Sequence, residues 1–337
     1  MKSLRIRTLV VFLFALTLVA CKDEQKTEQK DSAAFRNAAI LDLTERIEKN
    51  PQNHKLYYER GQLFNRMHED SLALEDFKKA ATLDSSKAEY FSAIGDLMFE
   101  HKDISGSIRY IQKALSLNPD DPAAHLKMAK MFVYLKDYPK AFSEINVVLR
   151  QDVYNAEGYF LKGMIYKDLK DTTKALSSFL TATEVDPEYR EAILQLALLH
   201  GYKNDPIAFQ YYDKAFKMDT TDVFPIYAKG VYMQDRKQYE KAKEFYKEAI
   251  LRDQQYANAY FNMGYILMQQ DSFEKARRQY DLLTKIEIGD FEAYYNRGLC
   301  SEMMGKKEDA MADYRQALVF NPDYETAKEG LKRLGVQ

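Results

Sequence analysis

A small residue returns along this chain at an almost fixed interval, at Gly61, Gly95, Ala129, Gly163, Ala197, Gly230, Gly264 and Gly298. The steps are 34 residues, with one of 33 between Ala197 and Gly230. A second small series, Ala73, Ser107, Ala141, Ala175, Ala208, Ala242, Ala276 and Ala310, follows twelve residues behind, or eleven in the shortened unit. Four residues further on stand Phe77, Ile111, Ile145, Phe179, Tyr212, Tyr246, Tyr280 and Tyr314. A unit of this length is one supersecondary element that cannot bury its apolar face alone, so copies must stack and share a core. The spacing predicts two antiparallel helices per unit, with small residues where helix backbones come closest. The large residues are expected to fill the space between neighbouring units. With 13 Gly and 8 Pro against 25 Tyr and 19 Phe in 337 residues, the composition suits helices packed through aromatic rings.

One unit carries Tyr159, Gly163, Tyr166, Ala175, Phe179, Ala182 and Pro187, and another carries Tyr294, Gly298, Ala310, Tyr314, Ala317 and Pro322. This pattern resembles the tetratricopeptide repeat family, and the resemblance covers about four fifths of the chain. It implies an all-α fold, an α-solenoid wound as a right-handed superhelix of about eight helix-turn-helix repeats. The repeats fall at 54–87, 88–121, 122–155, 156–189, 190–222, 223–256, 257–290 and 291–324, and a C-terminal capping helix follows at 325–337. Residues 34–53, with Ala39, Leu43 and Pro51 at matching offsets, read as a leading half-repeat helix. Pro122, Pro139 and Pro206 each suit a first helical position, where a missing N–H costs nothing. The one-residue deletion is expected to perturb the stack around residues 200–208.

The chain starts differently. Lys2, Arg5 and Arg7 precede an uncharged run, Thr8 to Val19, too short for the roughly 20 residues that span a bilayer. A secretion signal over 1–20 is the expected reading, in preference to a first core helix. Leu18-Val19-Ala20-Cys21 resembles the bacterial lipobox, which implies cleavage before Cys21 and its lipidation with a diacylglycerol and a further acyl chain such as palmitate. Several acyl chains anchor a protein stably without a transmembrane helix. Residues 21–33 then read as a lipidated, disordered tether, polar and aperiodic, reaching roughly 20 Å. Lysine at position 22, rather than the aspartate that favours inner-membrane retention, implies the outer membrane. Lys22-Asp23-Glu24 also resembles a surface-export signal, so the periplasmic face and the cell surface both stay open.

Without residues 1–20, 46 Lys and Arg face 51 Asp and Glu, so no basic field for nucleic acid is expected. Only Cys300 then remains, and one thiol forms no internal disulfide. The five histidines lack metal-ligand spacing, the glycines are single and periodic rather than a phosphate loop, and no Gly-x-Ser-x-Gly elbow occurs. No metal, no cofactor and no enzymatic site are therefore expected. His125 and His200 are assigned packing roles, and Asp120-Asp121 and Glu308-Asp309 the capping of helix starts.

Function must then lie on a surface. In the family resembled here, the first helix of each repeat lines the concave face, and its fifth and ninth residues face the groove. Those expected to bind are Tyr58, Leu126, Phe160, Met164, Leu194 and Leu198, continuing with Tyr227, Val231, Phe261, Tyr265, Tyr295 and Leu299. From the fourth repeat onward all are apolar or aromatic, which predicts a groove for a peptide, a partner helix or self-association as a homodimer. Burial of the stripe by superhelical curvature or dimerisation is the alternative. Asn262 and Asn296 are candidates to hydrogen-bond a bound backbone. The plan is similar to outer-membrane repeat lipoproteins and type IV pilus pilotins, and implies a membrane-anchored scaffold binding other envelope proteins or peptides. A carbohydrate-binding or enzyme-accessory lipoprotein using the aromatic face is the second reading.

Overall fold

Residues 37–336 are described by the computed structural model, and every regular element among them is a helix. A single helix leads, α1 (Ala38–Lys49). Helix pairs follow: α2 and α3 (His54–Arg66, Asp70–Leu83), α4 and α5 (Ala88–Glu100, Ile104–Leu117), α6 and α7 (Pro122–Tyr134, Tyr138–Gln151), α8 and α9 (Ala156–Asp168, Thr172–Val185). The series continues with α10 and α11 (Arg190–Tyr202, Ala208–Met218), α12 and α13 (Phe224–Asp235, Tyr239–Arg252), α14 and α15 (Ala257–Gln269, Phe273–Ile286), α16 and α17 (Phe291–Met303, Lys307–Phe320). It closes with α18 (Glu325–Arg333). The all-α solenoid expected from the sequence is the fold observed. Cys21, the signal segment and the tether lie outside the described residues.

Two turn types alternate along the chain. Within a pair, the first helix ends in a residue with left-handed backbone: His68, Lys102, Lys136, Lys170, Asn204, Lys237, Asp271 and Gly305, at φ between 52° and 75°. The next residue's N–H then reaches back to a carbonyl five residues earlier, as Glu69 does to Phe64 (2.9 Å) and Asp171 to Tyr166 (2.9 Å). This Schellman geometry satisfies carbonyls that the helix end leaves open. Between pairs, an acidic or amide side chain accepts from the N–H two residues on, as Asp84 does from Ser86 (3.0 Å) and Asp186 from Glu188 (2.9 Å). Asp121 caps α6 by accepting from the N–H of Ala123 and Ala124. The proline expectation needs correction: Pro122 opens α6, but Pro139 is the second residue of α7 and Pro206 lies in the turn ahead of α11.

The large residues also pack differently from the expectation. A Cβ on Gly61 would stand 2.7 Å from the Phe77 ring, and one on Gly163 would stand 2.5 Å from Phe179. Each large side chain therefore fills the gap inside its own pair, against the small residue of the preceding helix. Tyr314 does both, since a Cβ on Gly298 would meet it at 3.0 Å and one on Gly330 of α18 at 2.6 Å.

The chain divides into two compact units, with Leu161 the last residue of one and Lys162 the first of the other. In the first unit Ile40, Phe64, Phe77, Tyr90, Ile94 and Leu97 form a buried cluster. In the second, Met263, Ile266, Leu283 and Cys300 are buried around Tyr246 and Tyr280. Each unit also holds one buried bidentate ion pair. Arg60 donates to both oxygens of Asp76 (2.7 and 2.8 Å), and Arg297 to both of Asp313 (3.0 and 2.6 Å). Burial holds the Asp76 carboxyl above its ordinary range despite that arginine.

Two outcomes follow from these turns and rings. Replacing Lys170 by glycine is expected to stabilise the second unit by about 0.5 kcal/mol, and Gly305→Lys to destabilise it by about 1 kcal/mol, because a Cβ is strained at positive φ. Shifts of the urea midpoint in opposite directions check this. Burial also pushes the phenols of Tyr90, Tyr212 and Tyr256 up to about 12 and raises those of Tyr246, Tyr280 and Tyr314. Unfolded tyrosines ionise from about pH 10, so stability is expected to hold below that pH and to fall as pH climbs from about 10 toward 12. Urea midpoints measured beside tyrosinate absorbance report it.

Candidate functional site

The residues expected to line a first-helix face do not share one environment. In the first unit Leu126 is only 7% exposed, so it belongs to the core and is withdrawn as a contact residue. The fifth position of a repeat sits on the face, but how deep it sits depends on neighbouring helices. Tyr58 is half-buried, its ring 5.5 Å from Phe77 and 4.7 Å from Tyr90. Around it the face is polar: Lys127 donates to Ser92 (2.9 Å) and Asp96 (2.7 Å), and Lys130 pairs with Glu157. Phe160 is half-buried.

In the second unit Met164, Leu194, Leu198, Tyr227, Val231, Phe261, Tyr295 and Leu299 are half-buried, and Tyr265 is exposed. The two asparagines are committed internally. The side-chain amide of Asn262 donates to the hydroxyls of Tyr227 (3.0 Å) and Tyr246 (3.3 Å), and that of Asn296 to the Glu292 carbonyl of its own helix (2.8 Å). Asn262 thus spends both of its amide N–H groups inside the fold, and Asn296 spends one, because a helix-face asparagine takes the nearest acceptor.

Three of the expected residues, Leu198, Tyr227 and Val231, come together around a cavity of about 500 Å³ where α10 faces α12. The cavity lies beside the shortened fifth repeat. Helix α11 has 11 residues where the other second helices have 14, and α10 and α12 touch directly across the gap. Sequence reasoning did not single out Tyr202, Asn204, Phe224, Tyr232 and Asp235, which also line the cavity. The only sequence signal for them was the missing residue itself.

The cavity is chemically a binding surface. The phenol of Tyr227 is held above its ordinary range by burial, and its oxygen accepts from Asn262. Arg236 lies 3.2 Å from the Tyr232 ring and bonds the Asn204 side chain, which stiffens the rim. Tyr202 is 85% exposed at the mouth. Among the described residues no group of three or more His, Cys, Asp or Glu is placed to hold a metal, and no helix is long and apolar enough to cross a membrane. The Cys300 thiol is buried and pushed up to about 12, so it is no thiolate nucleophile at neutral pH. The two histidines assigned to packing brace turns. His125 bonds Glu144 (2.5 Å) and the Pro119 carbonyl (2.9 Å), and His200 bonds Asp205 (2.8 Å) while stacking on Tyr211.

Family models described as tetratricopeptide repeat match residues 156–189, 234–296 and 291–324. Among curated proteins the chain is similar to DnaJ homolog subfamily C member 7 of Mus musculus, 24% identical over 239 residues, covering 65% of this chain and 47% of that protein. It is also similar to protein O-mannosyl-transferase TMTC3 of Homo sapiens, 23% identical over 259 residues, covering 75% of this chain and 28% of that protein. The chain thus spans less than half the length of these relatives. Among solved structures, a tetratricopeptide repeat protein from Parabacteroides merdae superposes with a TM-score of 0.53 at 18% identity, over 74% of this chain and 98% of that one. The C-terminal part of a repeat-containing protein from Cytophaga hutchinsonii gives 0.55 at 19% identity, over 70% and 98%. At such identities the likeness speaks for the fold.

If Asn262 is a brace for the two tyrosines, Asn262→Ala is expected to cost the second unit about 1–2 kcal/mol, measured as a lower urea midpoint. A residue reserved for ligand would leave the midpoint unchanged.

Proposed function

We propose that this chain, which matches tetratricopeptide repeat models at residues 156–189, 234–296 and 291–324, is a protein-interaction scaffold whose main contact is the α10–α12 cavity, filled by an apolar side chain of a partner peptide or helix. Proteins of this family assemble other proteins, and the fold is typical of scaffolds rather than enzymes, although TMTC3 is named a transferase. The observation that carries the reading is the cavity itself, about 500 Å³, lined largely by apolar and aromatic side chains. A leucine or phenylalanine buried there contributes about 1.5–3 kcal/mol, and Phe261, Tyr265, Tyr295 and Leu299 extend the contact along the same series of first helices. A sugar ligand fits less well, since sugar sites join aromatics to clustered carboxylates and this wall holds one, Asp235.

The finer part of the proposal concerns place. The lipobox-like Leu18-Val19-Ala20-Cys21 supports acyl chains on Cys21, and Lys22 supports the outer membrane of a bacterial envelope, on either its periplasmic or its outer side. The partners would then be envelope proteins.

Photocrosslinking in cells that naturally make the protein tests both parts together. With the probe at Tyr202, the wild type is expected to capture a discrete partner, and Val231→Asp is expected to abolish capture while helicity is kept. Capture undiminished in Val231→Asp would remove the cavity from the interface. In the same preparations Cys21→Ser is expected to move the protein from the membrane to the soluble fraction, and continued membrane association would refute the anchor.

A further inference from the structure

A second cleft, of about 710 Å³, lies in the second unit on the other side of α14, between the second helices α13 and α15. Its floor is Tyr260, Met263 and Leu267 of α14, on the side of that helix away from Phe261 and Tyr265. The Tyr260 hydroxyl is already satisfied by the Gln254 carbonyl (3.1 Å), so the floor asks nothing polar of an occupant. The walls carry Leu251, 81% exposed, and Leu282, 42% exposed, an unusual solvent exposure for two leucines facing one cleft.

The rim has one sign of charge. Lys243 and Lys247 stand on α13, Lys275 and Arg278 on α15, and no carboxylate lines the cleft. Two of the four are partly neutralised from outside, Lys243 by Glu240 (2.8 Å) and Arg278 by Glu274 (3.7 Å). Lys247 and Lys275 are exposed and, among the described residues, have no carboxylate within ion-pair distance. Both helices run antiparallel to α14 and hence in the same direction. Lys243, Lys275 and Arg278 lie in the first halves, Lys247 just past the middle of α13, and Leu251 and Leu282 nearer the second ends, so cations precede the leucines along both walls.

From this charge complementarity we propose that the α13–α15 cleft is a second docking site, independent of the α10–α12 cavity, for an acidic amphipathic segment of a partner protein. Its apolar face lies on Tyr260, Leu251 and Leu282, and its carboxylates meet Lys247 and Lys275. Each 14-residue wall helix is about 21 Å long, which accommodates a helical peptide of about fourteen residues.

The test uses the full chain and a fluorescein-labelled peptide of about fourteen residues with leucines on one face and glutamates beside them, together with a matched peptide bearing lysines. Anisotropy is expected to show saturable binding of the glutamate peptide and none of the lysine peptide. Lys247→Glu combined with Lys275→Glu is expected to weaken binding about tenfold, as is salt of about 0.5 M. Leu251→Ser weakens it by a similar factor through lost apolar contact, and Val231→Asp leaves it unchanged. Equal binding of the lysine peptide, or indifference to the double charge reversal, would overturn the proposal. So would sensitivity to Val231→Asp, which would place the peptide in the first-helix cavity. Sedimentation with phosphatidylglycerol vesicles separates the remaining source of negative charge: binding that needs Leu251, with no peptide binding, assigns the cleft to a membrane and overturns it too.

Discussion

A ring lying where a side chain is missing sets the geometry on which the rest of this structure depends. Glycine on a first helix leaves room for the large residue of the second, as Gly163 does for Phe179 and Gly264 for Tyr280. The contact fixes how closely the two helices approach, and the turn between them can then be short. Where the large residue is tyrosine, the same arrangement brings a hydroxyl that must find a partner. Tyr246 donates to Gln234 (2.8 Å) and Tyr314 to Glu302, in each case a side chain twelve residues earlier near the end of the pair's first helix. The ring thus locks the middle of the pair and its oxygen ties down the end.

The candidate site arises where this regularity fails. Seven second helices have 14 residues, α11 has 11, and the cavity lies beside it. The residues around the break then take other work. Asn204 holds the left-handed turn position and offers its carbonyl to Tyr232 (3.4 Å) and its side chain to Arg236. The shortened unit thus leaves a cavity of about 500 Å³ beside it.

How much of this was legible follows from what repeats. Burial repeats, so the small and large positions stood out, and they gave the helix pairs and their order. The turns were hidden, because the left-handed position is glycine only at Gly305 and elsewhere is His68, Lys102, Lys136, Lys170, Asn204, Lys237 or Asp271. Its backbone is held by the Schellman bonds rather than by residue type, and so left no composition signal. On the candidate site, period gave the face but not the depth. Leu198, Tyr227 and Val231 line the cavity, Leu126 was expected on a surface although it is core, and Asn262 was offered to a bound backbone although two tyrosines hold it. Tyr202 and Asn204 were missed because they belong to a helix end and a turn, which a count of fifth and ninth positions never visits.

The two units also differ in what their first-helix faces would require of a partner. In the first, Lys127, Asp96 and Ser92 satisfy one another and Lys130 is paired with Glu157, so a ligand must strip water from groups that already have partners and gains little in return. In the second, the walls around Leu198, Tyr227 and Val231 are largely apolar, with Asn204 and Asp235 among them, and covering the apolar part releases water. An apolar side chain therefore gains more on the second unit's face, where the cavity lies beside the shortened repeat.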